Sequence, residues 1–332
     1  MKSKILITGG AGFIGGFLAD AFQRRGDSVR IVDSLARGRR DSFLEALLAH
    51  REVEFSERDL LRDDALSDVG EGYTHIFHLA AILGVSKVLE HPLEVLRDNV
   101  RATETVLRFA QRQSQLERLV FASTSEVYAG SLEHLDMPVP TPESTALALP
   151  DLGHPRTSYM LSKIYGEALV RHSGVPFTIL RPHNVYGPRM GSLHVIPQLL
   201  ERAHYGRDGE GFEVFSVDHS RTFCFIDDAV ELFVGSSLSA DCSSQTLNLG
   251  AQNPEIRIGE LARIVLEVVG REMTVEAKPA TAGSPVRRAP EMSRMTELTG
   301  LSARTPLQQG VERTYAWYAK NVFRGEDRDA AR

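Results

Sequence analysis

Tyr159 and Lys163 stand four residues apart. The segment from Ser158 to His172 reads as a helix, so the two side chains share one face of it. A phenol is a poor base, with an ordinary pKa of about 10. A lysine ammonium beside it favours the phenolate, and so would the positive nicotinamide ring of an oxidised dinucleotide. Such a phenolate takes the proton of a substrate hydroxyl while hydride leaves the same carbon. A Tyr-x-x-x-Lys spacing alone is common and often structural. Two further features give it weight here: Ser123-Thr124-Ser125 at the end of the preceding strand, and a glycine fingerprint near the chain start.

That fingerprint is Gly9, Gly12 and Gly15. It lies between an apolar run at 4–8 and a helical pattern that puts Phe13, Phe17, Leu18, Ala21 and Phe22 on one face. Glycines at this spacing allow a tight turn, close approach of backbone to a pyrophosphate, and close helix–strand packing. The helix N-terminus then offers free N–H groups to the phosphates. Asp33 ends the second expected strand, where an acid binds the adenosine ribose hydroxyls. Its carboxylate would repel a 2′-phosphate, which points to NAD as the cofactor. Arg37, Arg39 and Arg40 read as a solvated basic loop. Asp59 is either an acceptor for the adenine amino group or a helix N-cap.

The elements that must hold these residues alternate. Strands are expected at 29–33, 53–55, 75–80, 119–123 and 177–182, with helices at 41–50, 93–113 and 158–172. Strand–helix alternation predicts an α/β fold with a Rossmann-type doubly wound parallel sheet. The Pro-rich segment 131–157 reads as a long loop. After about Gly187 the pattern loosens. Helices at 195–204, 227–238 and 258–269 mix with strands at 213–217 and 246–249, which predicts a smaller C-terminal α/β lobe for substrate. The expected organisation is therefore a dinucleotide domain at 1–185 carrying the Tyr/Lys helix, a lobe at 186–325 with some elements returning to the sheet, and a charged tail at 326–332 that frays.

Composition narrows the function. The formal net charge of -6 argues against a nucleic-acid partner. Cys224 and Cys242 are the only cysteines, too few for a disulfide scaffold or a four-cysteine zinc site. No His/Cys/Asp cluster has metal spacing, so no metal is expected. No apolar run approaches the ~20 residues of a membrane helix, and the apolar start is too short for a signal peptide. The expected setting is the cytoplasm, with no membrane partner. His78 reads as a packed, hydrogen-bonded histidine and Cys224 as a small buried apolar group.

Taken together, Thr8-Gly9-Gly10-Ala11-Gly12-Phe13-Ile14-Gly15, Asp33, Asp59-Leu60, His78-Leu79-Ala80-Ala81, Ser123-Thr124-Ser125-Glu126-Val127-Tyr128, Tyr159 to Lys163, Arg181 to Pro188 and Arg221-Thr222-Phe223 resemble the extended short-chain dehydrogenase/reductase family, in its nucleotide-sugar epimerase/dehydratase branch. Arg287-Arg288-Ala289-Pro290 is a weaker match that departs from the usual Arg-Pro-Gly-Asp. The resemblance implies tightly held NAD and a transient 4-keto sugar. It assigns the cofactor to Gly9, Gly12, Phe13, Ile14, Gly15, Asp33, Asp59, Leu60, Leu79, Ala80, Ala81, Tyr159 and Lys163. It makes Tyr159 the base, Lys163 its electrostatic partner and Thr124 the group that bonds the reacting oxygen. Asn184, Arg221 and Arg288 (or its neighbour Arg287) would face the nucleotide diphosphate, and Val195 would enter near the base. A guanidinium's paired donors suit a phosphate on independent grounds. The resemblance also implies a homodimer through a four-helix bundle built on 93–113 and 158–172.

Residues 125 and 126 bear on the reaction. Ser125-Glu126 replaces the Asp-Glu pair of one class of sugar 4,6-dehydratases. Thr-Ser-Glu resembles UDP-glucuronate decarboxylases and GDP-mannose 4,6-dehydratases. Epimerisation at C4 needs no base at C5, whereas a decarboxylase must seat a carboxylate beside C5, for which Ser125 and Arg156 are candidates. The sequence alone places an NAD-dependent nucleotide-sugar 4-epimerase first and a decarboxylase or dehydratase using Glu126 next. A non-catalytic NAD-binding regulator is a further alternative, opposed by the intact Thr124, Tyr159 and Lys163. A simple alcohol dehydrogenase is opposed by Asn184 and Arg221.

Overall fold

A computed structural model describes residues 2–38, 40–280 and 284–323. Arg39 and the charged tail lie outside the described residues. In chain order the first half runs β1 (Lys4–Thr8), α1 (Phe13–Arg24), β2 (Ser28–Asp33), α2 (Ser42–Leu48), β3 (Val53–Glu57), β4 (His75–His78), α3 (Val85–Glu90), α4 (Pro92–Ala110), β5 (Arg118–Ala122), a 3₁₀ turn (Ser125–Tyr128), α5 (Ala129–His134) and α6 (Thr157–His172). The second half runs β6 (Phe177–Pro182), β7 (Val185–Tyr186), α7 (Val195–Tyr205), β8 (Gly211–Phe215), β9 (Ser220–Arg221), β10 (Cys224–Phe225), α8 (Ile226–Leu238), β11 (Gln245–Leu249), β12 (Ile256–Arg257), α9 (Ile258–Val269), β13 (Thr274–Lys278), β14 (Arg287–Arg288), α10 (Ser293–Thr299) and α11 (Leu307–Asn321).

Seven strands form one parallel sheet in the order β11-β6-β5-β4-β1-β2-β3. Side chains alternate across each strand. In β1, Ile5 and Ile7 join the core on the α1 side with Leu18 and Phe22. Leu6 joins the other core, with Val106 and Phe109 of α4 and Val170 of α6. Both faces are covered, which is why the strands read as nearly continuous apolar runs. β1 has β2 on one side and β4 on the other, so the strand order reverses there. Ligands of open α/β sheets bind at the carboxyl ends of strands at such a reversal.

β11 leaves the lobe and completes the main sheet beside β6. The lobe itself carries short pairings: β8 with β13, and β9 between β12 and β14. α9 spans 258–269 as its periodicity predicts. The segment read as loop from 131 begins instead inside α5, and the expected strand at 213–217 sits two residues earlier. The sequence reading has no counterpart for α10 and α11. In α11 the buried face is Val311, Thr314 and Tyr318, interrupted by polar residues, so its apolar period is weak. Among the described residues no helix is long and apolar enough to cross a membrane.

Candidate active site

The first wall of the site is the β1–α1 loop. Gly9 adopts φ +74°, and a Cβ there would lie 2.7 Å from the Ala80 amide nitrogen, so the loop can press against the end of β4 only as glycine. Helix α1 begins with no side-chain cap and no acid in its first turn. Its first N–H groups, including those of Phe13 and Ile14, thus keep their donor capacity for an anion. Asp33 sits opposite, at the end of β2. Its Oδ2 accepts from Ala11 N at 3.0 Å and its Oδ1 from Leu35 N at 2.9 Å. Leu79, Ala80 and Ala81 follow β4 across the crevice. A glycine-walled crevice, an uncapped helix start and an acid at the second strand fit a dinucleotide.

Asp59 resolves the two readings offered for it in part. Its Oδ1 accepts from Leu61 N at 3.0 Å in a turn, and no helix follows. The N-cap reading is therefore corrected. Leu60 is buried beside it in the core on the α4 side.

The second wall is the end of β5 with α6. A Cβ on Gly166 would sit 2.5 Å from the Phe121 ring, so α6 lies unusually close to β5. That approach brings the Tyr159 phenol into the neighbourhood of the Thr124 hydroxyl, which lowers its pKa. Thr124 also accepts from Glu126 N at 3.2 Å, which starts the 3₁₀ turn and buries Ser125. Lys163 is buried. Its Nζ donates to the Ala122 carbonyl at 2.7 Å and lies 4.9 Å from the Phe121 ring centroid.

The electrostatics differ from the simple expectation. Burial first, and then the Glu126 carboxylate, push the Tyr159 phenol above its ordinary range; Thr124 and Arg37 pull it down. Lys163 is not among the groups that lower it. Burial instead lowers Lys163 itself to about 8. Thr124, Arg37 and the positive charge that NAD would bring favour the phenolate, with the Lys163 ammonium four residues along the same helix. His78, held by Thr8 and Thr103, is driven by burial and by Lys163 down to about 3, so it is neutral.

The third wall comes from the lobe. Arg288 points inward: Nη1 donates to Glu126 Oε1 at 2.5 Å and Nη2 to Asn184 Oδ1 at 3.1 Å. Arg287 points away and grips Glu255 through Nε and Nη2 at 2.8 and 2.7 Å. Asn184 also donates to the Thr222 carbonyl at 2.9 Å. Arg221 is buried on the lobe's own backbone. It donates to the carbonyls of Ser220, Pro285 and Val286 and to Ser284 Oγ. Burial and Arg288 lower it to about 10. In this state Arg221 orders the 284–286 segment. Val195 opens α7 and packs partly against the core.

Glu126 is the residue these arginines meet. Arg288 first, then Arg156 and Arg221, hold its carboxyl below the ordinary range against the opposing effect of burial. The side chain stays reachable, at 47% exposed against 20% for Arg288. Nε of Arg288 and Oγ1 of Thr222 are among the buried polar atoms without a partner among the described residues, and a polar ligand would satisfy them.

Residues 5–250 match the NAD dependent epimerase/dehydratase family. The chain belongs to that family. It is an enzyme of that family, and its cofactor is NAD. Over 96% of its length it is 28% identical to the UDP-N-acetyl-alpha-D-glucosaminuronate decarboxylase of Bacillus cytotoxicus, covering 98% of that protein. Over 98% it is 30% identical to UDP-glucuronic acid decarboxylase 1 of Arabidopsis thaliana, covering 72% of that protein. Among solved structures it resembles a UDP-galactose 4-epimerase with a TM-score of 0.77 and 26% identity, covering 96% of this chain and 99% of that one.

Proposed function

We propose that this protein decarboxylates a nucleoside-diphosphate hexuronate. The observation that carries the reading is the Glu126 carboxylate on Arg288, within reach of Arg156 and Arg221. Three guanidinium groups against one carboxylate leave a cationic excess. A uronate carries a carboxylate at C6 in addition to its diphosphate, and that excess suits it. A nucleotide-linked neutral hexose would also bring a diphosphate to that charge, so the discrimination rests on Glu126, which has no step with a neutral hexose. The sequence alone ranks a 4-epimerase first; the similarity to two uronate decarboxylases over nearly all of this chain supports moving the decarboxylase ahead of it.

The steps follow from the residues. Tyr159, beside Thr124, takes the proton of the C4 hydroxyl. NAD, when bound, accepts hydride from C4 and later returns it. Oxidation turns the sugar into a β-keto acid, because the C6 carboxylate is two carbons from the new C4 carbonyl. The C5–C6 bond can then break, its electron pair moving into the C4 carbonyl as carbon dioxide departs. A proton must return to C5; the Glu126 carboxylate, held ionised by Arg288, would take one from water and relay it there. Tyr159 finally returns its proton to the C4 oxygen. The C4 epimerase remains the second reading, since the resemblance to a UDP-galactose 4-epimerase and the Thr124–Tyr159 pair suit it equally. Its Glu126 would have no step.

Incubation with UDP-glucuronate, its N-acetylglucosamine counterpart and UDP-glucose separates these. The proposal expects a uronate to lose the mass of carbon dioxide. Unchanged mass with inverted C4 couplings on UDP-glucose would establish the epimerase. We also propose that the chain pairs with a second copy through α4 and α6, whose outer faces form a groove of about 610 Å³ lined by Leu96, Val100, Leu161 and Tyr165 with Arg97 and Glu104 at its edges. Light scattering should give twice the chain mass; a monomer at micromolar concentration would overturn it.

A further inference from the structure

Arg189 takes no part in the steps above, yet its side chain is only 5% exposed. It lies in the turn after β7, where the chain leaves the sheet for the lobe. Its φ is +65°, a conformation uncommon for a residue with a side chain. Such strain persists where the surroundings hold it. Here they do. Nε donates to Asp41 Oδ2 at 2.7 Å and Nη2 to Asp41 Oδ1 at 3.1 Å. The guanidinium lies 4.4 Å from the Phe43 ring centroid.

The remaining donors cross to the cofactor loop. Nη2 donates to the Ala11 carbonyl at 3.3 Å and Nη1 to the Gly12 carbonyl at 3.5 Å. A Cβ at position 16 would stand 2.6 Å from Nη1, so the bare glycine there leaves room for the guanidinium. From the other side, Asp33 takes the Ala11 N–H. A peptide unit is planar, so fixing a carbonyl fixes the N–H on its opposite edge. The Gly12 N–H is already used by the Gly9 carbonyl. The Gly12 carbonyl also accepts from Gly16 N at 3.1 Å, so Arg189 reinforces a peptide plane the helix start already holds, and with it the direction of the Phe13 N–H, the first free donor of α1.

We propose that Arg189 is a positioning residue for the dinucleotide. It sets the peptide planes of residues 11–13 for the pyrophosphate and ties them to the entrance of the substrate lobe through Asp41 and Phe43. The proposal rests on the NAD site and is independent of which sugar reaction follows.

NADH titration by fluorescence tests it, alongside thermal unfolding of the cofactor-stripped protein. Arg189→Met should weaken NADH by about tenfold, the loss expected when a charge-assisted contact that orders the site is removed. Asp41→Asn keeps an acceptor for Leu44 N, which caps α2. It removes the charge that orients Arg189 and should weaken NADH by a few fold. Arg189→Lys restores a charge beside Asp41 without the fork that reaches both carbonyls, so it should not restore full affinity. A purely structural Arg189 would lower the unfolding midpoint and leave NADH affinity intact. NADH affinity within about twofold of the parent protein, under RT of binding free energy, in folded Arg189→Met and Asp41→Asn would overturn the proposal. If Arg189→Met does not fold, Asp41→Asn decides alone.

Discussion

Glu126→Gln separates folding from chemistry at the proposed site. The lost ion pair is half-exposed on the Glu126 side, so its contribution to stability is about 0.2–1 kcal/mol after solvent screening. For a chain of this size that moves Tm by no more than about 2–3 °C. The chemistry should respond far more. A group that relays a proton to C5 acts after carbon dioxide has left and contributes about a hundred- to ten-thousand-fold, so multiple-turnover carbon dioxide release should fall by that factor while the first turnover's release is spared. Oxidation at C4 uses Tyr159 and Thr124, so the first appearance of NADH absorbance after mixing with UDP-glucuronate should survive. Glu126 is also one of the groups that raise the Tyr159 phenol. Removing its charge lowers that pKa, so the acid limb of the NADH burst should move to lower pH. Stopped-flow absorbance and carbon dioxide capture on one sample read both halves. Loss of the burst together with first-turnover decarboxylation, or multiple-turnover decarboxylation within about threefold of the parent enzyme, would refute the role given to Glu126, because proton-transfer groups act by larger factors.

Tyr159→Phe removes the proton acceptor and should cut turnover by about a hundred-fold or more while NADH binding persists; unchanged turnover refutes it as the base. Burial holds Lys163 at about 8, below the ordinary lysine value. The unfolded chain therefore binds more protons above that pH, so this group's contribution to stability grows as pH climbs through the window, while its ammonium and the turnover that needs it are lost. A rate profile that falls near that pH, and does not in Lys163→Arg, supports this; a fall that persists in the variant contradicts it. Arg181 and Glu167 form a buried pair at 2.7 Å, shared with Ser123 and Tyr128. Arg181→Met strands a buried carboxylate and should cost about 3–5 kcal/mol, whereas Arg181→Met with Glu167→Leu should cost much less; equal losses in denaturant titrations would show that the pair is not the cause.

The parts legible in the sequence were those set by local pattern. Gly9, Gly12 and Gly15 after an apolar strand, Asp33 a strand later, and Tyr159 with Lys163 on one helix face all follow from spacing alone. Periodicity also gave α9. What required the structure was contact between distant segments. Nothing local tells that Arg288 turns toward Glu126 while Arg287 turns to Glu255, or that Arg221 spends its donors on residues 284–286. The same holds for Lys163, whose ammonium meets the Ala122 carbonyl across the β5–α6 contact. Arg189 was missed because its hydrogen-bond partners are 148 and more residues away. Its only local sign was an arginine directly after Gly187-Pro188, where a turn exposes the backbone. The short helix α10 and the polar-interrupted α11 carry too little apolar periodicity to be read without their neighbours.

The central claim is that hydride leaves C4 and returns to the same sugar while C6 departs. UDP-glucuronate carrying deuterium at C4 and carbon-13 at C6 tests both halves at once. Carbon-13 should appear in the released gas and deuterium at C4 of a nucleotide-linked pentose. Carbon-13 retained in the sugar ring system after complete conversion would contradict the account.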